Sequence, residues 1–140
     1  MDHWEDRVRI HVSGEPRPFS RHLMGSLLLL FQEAVGNAFR HGMASLVKVE
    51  VSYDENDLTM VIADDGSGFD AALLPEGSGH YGVQSMRDRM RWLGGTFSLE
   101  SQLGKGTYVT ASISWEKAAA LEKSPSWGTY KNKPELTQPP

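Results

Sequence analysis

The chain contains no cysteine in 140 residues, so it has neither a disulfide framework nor a thiolate metal site, and a reducing compartment would suit it. It has no long apolar run. Ser26 to Phe31 falls far short of the roughly 20 residues needed to span a bilayer, and Met1 to Arg9 lacks the apolar centre of a signal peptide. Nor is there an excess of positive charge: the formal net charge is -4 and the arginines are scattered, which argues against nucleic acid as a general partner. Internal repeats are absent, and no Gly-x-x-x-x-Gly-Lys-Ser/Thr stretch exists, which excludes a P-loop ATPase. These absences predict a soluble, cytoplasmic chain with no direct membrane contact. The 39% apolar and 23% charged content is that of a globular protein, and the length suits one domain with one core.

The chain is organised around Phe31 to Gly42. If this stretch is one helix at about 100° per residue, Glu33, Asn37 and Arg40 share a narrow stripe. Leu23, Leu27, Leu30, Ala34 and Ala38 form an apolar stripe beside it. A carboxylate, an amide and a guanidinium then stand at the edge of a buried face, where a cleft would lie. A solvated helix face is the plain alternative. Ser20 is the expected N-cap, and Gly25 and Gly36 inside the helix each cost about 1 kcal/mol against alanine, so tertiary packing must recover that stability. His41 falls nearer the apolar stripe than Arg40 does and reads as structural.

Before this helix, Arg7 to Val12 alternates polar with apolar and reads as a short strand ending at Ser13-Gly14. After it, Val47 to Tyr53 and Leu58 to Ala63 alternate in the same way around a turn of Asp54 to Asp57, predicting an antiparallel hairpin. The second strand delivers Asp64 to a sheet edge where Asp65-Gly66-Ser67-Gly68-Phe69 begins. Gly66 and Gly68 allow a sharp turn and close approach to a planar ligand, although an Asp-Asp-Gly cluster alone is an ordinary turn. Ala71 to Tyr81, with Pro75, Gly77, Ser78 and Gly79 and no period, reads as a lid-like loop. Val83, Met86, Met90 and Leu93 predict a helix whose methionines are core and whose N-terminus at Gly82 suits an anion. Two strands, Thr96 to Ser101 and Thr107 to Trp115, complete the pattern. Beyond Trp115, with Ala118 to Leu121 able to add a helical turn, four prolines and polar spacers suggest a flexible C-terminal tail. The expected domains are therefore residues 1–115 and a tail over 116–140.

Three stretches taken together resemble a known family. Gln32-Glu33-Ala34-Val35-Gly36-Asn37-Ala38-Phe39-Arg40-His41, Asp64-Asp65-Gly66-Ser67-Gly68-Phe69 and Gly82-Val83-Gln84-Ser85-Met86-Arg87-Asp88-Arg89-Met90 look like the N, G1 and G2 boxes of the histidine kinase catalytic domain. This is the ATP-binding module shared with gyrase, heat-shock chaperone and mismatch-repair ATPases. Leu93-Gly94-Gly95 and Gly104-Lys105-Gly106-Thr107-Tyr108-Val109 resemble its closing signature. The resemblance covers Arg7 to Trp115. It implies an α/β (α+β) two-layer sandwich: a mixed, largely antiparallel five-stranded sheet with helices on one face, and ATP between helices and lid.

The resemblance also implies roles. Glu33 would orient or activate water at a metal, Asn37 would ligate Mg²⁺, and Arg40 would meet a phosphate. Asp64 would accept from the adenine amino group with support from the Thr107 hydroxyl, and Gly66, Gly68 and Gly82 would line the nucleotide. An amide oxygen suits a hard cation that keeps most of its waters, and a guanidinium fork suits phosphate oxygens. Asp65 stands where asparagine is usual and would add negative charge near the nucleotide, and Ser85 stands where a further glycine is common.

The family's phosphoacceptor histidine sits on an upstream dimerising hairpin. His3, His11 and His22 have neither that context nor room for it. The implied reading is a catalytic domain, monomeric by itself, that phosphorylates a histidine on a separate domain and serves a response regulator indirectly, within a parent protein that a membrane anchor could hold. Two alternatives stand beside it: an anti-sigma-factor-type serine kinase, which shares the fold, and a non-catalytic nucleotide-binding interaction module. Gly77-Ser78-Gly79-His80-Tyr81-Gly82 also spells a dinucleotide fingerprint, with Glu100 about twenty residues on. That match fails because Leu73-Leu74-Pro75-Glu76, not a strand, precedes it.

Overall fold

The computed structural model describes residues 5–70 and 82–123. A 3₁₀ turn, Glu5–Arg7, leads into strand β1, Val8–Gly14, and then helix α1, Arg21–Gly36. Five residues of π-helix, Asn37–His41, continue α1 directly. Strands β2, Val47–Tyr53, and β3, Asp57–Asp64, come next. Helix α2, Val83–Leu93, strands β4, Thr96–Ser101, and β5, Thr107–Ser114, and helix α3, Trp115–Lys123, complete the described chain.

The sheet has the order β1-β2-β3-β5-β4. β1 and β2 are parallel, which demands a crossover, and α1 supplies it; every other pair is antiparallel. The fold is thus the expected two-layer sandwich, mixed and mostly antiparallel. Alternation sets which face each strand buries. Val47 and Val49 of β2, Leu58, Met60 and Ile62 of β3, and Val109, Ala111 and Ile113 of β5 meet Leu23, Leu30, Ala34 and Val35 of α1 and Met86, Met90 and Leu93 of α2. Leu23, Leu30 and Met90 have no exposed surface at all. The methionines are therefore core, as their helical spacing predicts.

The local signals mostly hold. The Ser20 hydroxyl accepts from the Leu23 amide at 3.1 Å, closing the first turn of α1. Gly94, at φ +90°, ends α2, where the Gly95 amide reaches the Met90 carbonyl at 2.8 Å. Gly25 has open space around it, whereas a Cβ on Gly36 would stand 2.5 Å from Nη1 of Arg40. The guanidinium end of Arg40 therefore occupies the space beside the second glycine.

Trp115 departs from its expected place. It does not end a strand but begins α3, and only 7% of it is exposed. Its indole nitrogen donates to the Asp54 carbonyl at 2.8 Å, its ring stacks on Tyr53 at 6.0 Å, and the Arg17 guanidinium lies 4.2 Å from its centroid. These contacts anchor α3 to the β2–β3 turn, at the end of the sheet away from Asp64. Residues 116–123, placed in the tail by the sequence, are helical, with Ala118 buried; the remainder of that tail and the loop Ala71 to Tyr81 lie outside the described residues. The helical layer leaves Ile10 and Val12 of β1 and Met24 and Leu28 of α1 about half exposed along one apolar edge.

Candidate functional site

The change from α to π geometry falls within the stretch that the sequence marks as central. The Gly42 amide donates to the Asn37 carbonyl five residues back, at 2.8 Å. Wider turns alter the angular placement of residues 37–41, so the ideal α-helical stripe does not describe them. Asn37, half-buried at the first π position, lines a cleft between the helices and the Asp64 end of the sheet, with Ala38, His41 and Gly42. His41 is exposed on this wall and is not a core residue. Across the cleft stand Asp64, Gly68, Phe69 and Thr107, with Ile62, Leu99 and Val109 as an apolar floor and Val83 and Met86 of α2 closing one side.

Asp64 ends β3, paired in register with Thr107, the first residue of β5. Its Oδ1 accepts from the Gly66 amide at 2.7 Å. Burial raises its carboxyl above the usual carboxylate range; the backbone amides of Gly66 and Thr107 lower it in part, and the neighbouring charge of Asp65 raises it further. A half-buried acceptor at a strand end, beside an apolar floor, suits a planar ligand that offers a hydrogen-bond donor at its edge.

Asp65 points its charge elsewhere than expected. Its carboxylate accepts from the Ser45 amide at 2.8 Å, the Ser45 hydroxyl at 2.6 Å and the Leu46 amide at 3.1 Å. These bonds, the Ser45 hydroxyl foremost, hold its carboxyl below the usual range. It therefore fastens the loop after the π turn to the glycine loop. The Ser67 amide adds a bond to the Gly42 carbonyl at 2.7 Å, and Gly66 packs so tightly that a Cβ would lie 2.6 Å from the same carbonyl.

On the opposite side, the glycine loop is tied to the β4–β5 hairpin. Gly68 has φ +63° and sits against the carbonyls of Gln102 and Gly106, leaving no room for a side chain. The Gly104 amide donates to the Ser67 carbonyl at 2.6 Å, and the Phe69 amide donates to Ser101 Oγ at 2.9 Å. Ser101 Oγ in turn reaches the Gly106 carbonyl at 3.0 Å and Thr107 Oγ1 at 2.8 Å. Ser101 carries no motif that marks it in the sequence. Its position opposite Thr107 in the β4–β5 register, on the helix side of the sheet, is the signal that could have found it.

Asn37, Asp64, Gly68 and Thr107 therefore share one cleft, and Gly66 supports it from beneath. Glu33 and Arg40 are not among its walls. Glu33 is exposed on α1 with its carboxylate against Gly82, whose φ of +78° starts α2. The guanidinium of Arg40, also exposed, is folded back over Gly36.

With this geometry in place, comparison with known proteins identifies the class. Residues 25–117 match the model of the histidine kinase-, DNA gyrase B- and HSP90-like ATPase family, and the chain belongs to that family. Its relatives within that family include sensor histidine kinases. The nitrate/nitrite sensor protein NarQ of Escherichia coli is 40% identical over 97 residues, covering 69% of this chain and 16% of NarQ. The histidine-protein kinase/phosphatase DegS of Brevibacillus brevis is 34% identical over 100 residues, covering 71% and 25%. The oxygen sensor histidine kinase NreB of Staphylococcus carnosus is 28% identical over 106 residues, covering 76% and 30%. The chain thus spans under a third of the length of these relatives.

Among solved structures, the histidine kinase domain of the Erythrobacter litoralis EL346 blue-light activated kinase superposes with a TM-score of 0.64 at 21% identity. That match covers 82% of this chain and 58% of the other, and supports the fold. The ATP-binding domain of PrrB from Mycobacterium tuberculosis gives 0.54 at 25% identity, covering 74% and 77%. Among the described residues no helix is long and apolar enough to cross a membrane.

Proposed function

We propose that this chain is the catalytic ATP-binding domain of a two-component sensor histidine kinase. The observation that carries this reading is the convergence of Asn37, Asp64 and Thr107 on one cleft floored by apolar side chains and bordered by glycines too crowded for a Cβ. ATP is the substrate. Its adenine would lie over Ile62 and Val109, with the exocyclic amine donating to Asp64, and its phosphates would extend toward Asn37 and Gly82. Mg²⁺ at the phosphates would offset their charge when bound. The residues fit such an ion: Asn37 offers a neutral oxygen, and a cation held mainly by phosphates and waters does not demand a carboxylate cage.

In the transfer, the unprotonated ring nitrogen of an acceptor histidine on another domain forms a bond to the γ-phosphorus. The bond to the β–γ bridging oxygen breaks, ADP leaves with that electron pair, and the second ring nitrogen gives up its proton. The chain's own work is positioning and charge compensation. Arg40 would meet phosphate oxygens by rotating off Gly36, and Glu33, one turn before Asn37, would orient water near the phosphates or take up the released proton. A response regulator would receive the phosphoryl group afterwards, without touching this cleft.

The test combines radiolabelled ATP with a purified histidine-bearing helical-hairpin protein. Wild-type transfers label to the histidine; Asn37→Ala loses most transfer yet still binds adenosine; Asn37→Asp recovers metal binding better than transfer. Wild-type rates from Asn37→Ala would remove the metal-side assignment. Transfer only to a serine-bearing antagonist protein would indicate the serine-kinase alternative, and nucleotide binding with no transfer to either would indicate a non-catalytic module.

A further inference from the structure

The hydrogen bonds around Ser101 fix the direction of a proton at the cleft wall. A serine hydroxyl has one proton to donate and two lone pairs to accept with. Three groups surround Ser101 Oγ at hydrogen-bonding distance: the Phe69 amide at 2.9 Å, the Gly106 carbonyl at 3.0 Å and Thr107 Oγ1 at 2.8 Å. The amide can only donate and the carbonyl can only accept. Ser101 therefore accepts from Phe69 and donates to Gly106, and its remaining lone pair is open to Thr107. Thr107 must then be the donor in that contact. The opposite arrangement would deprive the buried Gly106 carbonyl of this bond and leave one Ser101 lone pair empty.

Thr107 lines the cleft, and with its proton committed to Ser101 its hydroxyl presents only lone pairs there. Asp64, its partner across the β3–β5 ladder, presents a carboxylate. The wall formed by these two residues is consequently acceptor-only when Asp64 is ionised. Such a wall attracts a purine bearing an exocyclic amine and opposes one bearing a carbonyl at the same position, whose oxygen would face oxygens.

We propose that Ser101 is a positioning residue for base selection, which makes Thr107 an acceptor and so favours adenine over guanine nucleotides. This rests on the reading of the cleft as a nucleotide site. It extends that reading to a residue that lies behind the wall and holds the glycine loop, the hairpin turn and Thr107 in a single hydroxyl network. Ser101→Ala removes the acceptor of the Thr107 proton. Thr107 can then rotate and offer that proton to the cleft, where it would satisfy a carbonyl edge.

The experiment measures binding of non-hydrolysable ATP and GTP analogues by calorimetry, in the full chain. Wild-type binds the adenine analogue and discriminates against the guanine one. In Ser101→Ala the ATP-to-GTP affinity ratio falls about fivefold or more, the effect of one redirected hydrogen bond. Thr107→Ser, which keeps the hydroxyl, retains the wild-type ratio. Thr107→Val lowers the ratio by itself, Asp64 keeping the remainder, and adding Ser101→Ala to it brings no further loss, because the two residues act through one bond. A merely structural role for Ser101 would weaken both analogues alike and leave the ratio unmoved, which overturns the proposal. Should Ser101→Ala fail to fold, the Thr107→Val and Thr107→Ser pair decides: equal ratios in the two overturn it. If wild-type binds neither analogue, the nucleotide reading itself falls, and the proposal with it; adenine binding with a ratio indifferent to Ser101 overturns the proposal alone.

Discussion

Gly82 lies directly against the carboxylate of Glu33, so that a Cβ at Gly82 would stand 2.8 Å from Cγ of Glu33 and closer still to its carboxylate. Two residues from separate boxes, 49 positions apart, thereby meet where α1 passes the start of α2. Gly82 also adopts φ +78°, where any L side chain is strained by about 1–2 kcal/mol. Gly82→Ala should therefore lower the thermal midpoint by several degrees and weaken binding of a non-hydrolysable ATP analogue. Restoring space with Glu33→Ala, a good helix former, in the same chain should recover part of the loss in the midpoint. A Gly82→Ala protein with unchanged midpoint and affinity would show that this contact sets neither.

Asp64 combines recognition with a stability cost. Its carboxyl titrates above the usual range, principally through burial, so its ionised form disfavours folding. The stability it contributes is fully present below the ordinary carboxylate range and is lost as pH rises through its raised folded value. Asp64→Asn keeps an oxygen for the Gly66 amide and removes the charge. At pH 7 it should raise the thermal midpoint relative to wild-type, with the advantage vanishing in acid. The same variant should bind the ATP analogue more weakly, and Asp64→Ala about tenfold or more so, since the adenine amine then has no acceptor. Thermal scans between pH 3 and pH 8 together with calorimetry check both halves; a destabilised Asp64→Asn at neutral pH would contradict the first.

Asp65 has the opposite sign. Its carboxyl is held low by the Ser45 hydroxyl and the amides of Leu46 and Ser45, so its stabilisation is present above the ordinary carboxylate value and disappears as pH falls through its lowered folded value. Asp65→Ala should lower the thermal midpoint at pH 7 and match wild-type once the solution is acidic enough to protonate Asp65 in the folded state. Because the same bonds join the π turn to the glycine loop, amide exchange at Ser45 and Leu46 should accelerate in the variant. Unchanged exchange there would mean that the loop is held by other contacts.

The two glycines inside the long helical stretch should respond differently. Gly25 is exposed with nothing near the position of a Cβ, so Gly25→Ala should stabilise the chain by up to about 1 kcal/mol through helix propensity, with transfer activity unchanged. Gly36→Ala gains the same propensity but must push Arg40 aside. A change in phosphotransfer in Gly36→Ala with none in Gly25→Ala would connect the Arg40 position to the reaction; equal, unaltered rates in both would disconnect it.

Local chemistry was legible in the chain itself. The apolar spacing of Leu23, Leu30 and Ala34, the alternation of Val47, Val49 and Val51, the cap at Ser20 and the stop at Gly94-Gly95 are signals that act within a few residues, and the structure contains each of them. The order of the three glycine- and carboxylate-bearing stretches was likewise sufficient to indicate the family. Tertiary structure decided what depends on partners far along the chain. The parallel pairing of β1 with β2 joins residues 39 apart, and periodicity within either strand does not encode it. The π geometry at Asn37–His41 moved His41 onto the cleft wall, because one wider turn alters directions that an ideal helix would fix. Asp65 turned to Ser45, and Ser101 collected Phe69, Gly106 and Thr107, because buried or crowded polar groups take whichever partner the packing brings within reach. A sequence supplies those groups in order; only the closed sheet and the helices upon it determine which of them meet.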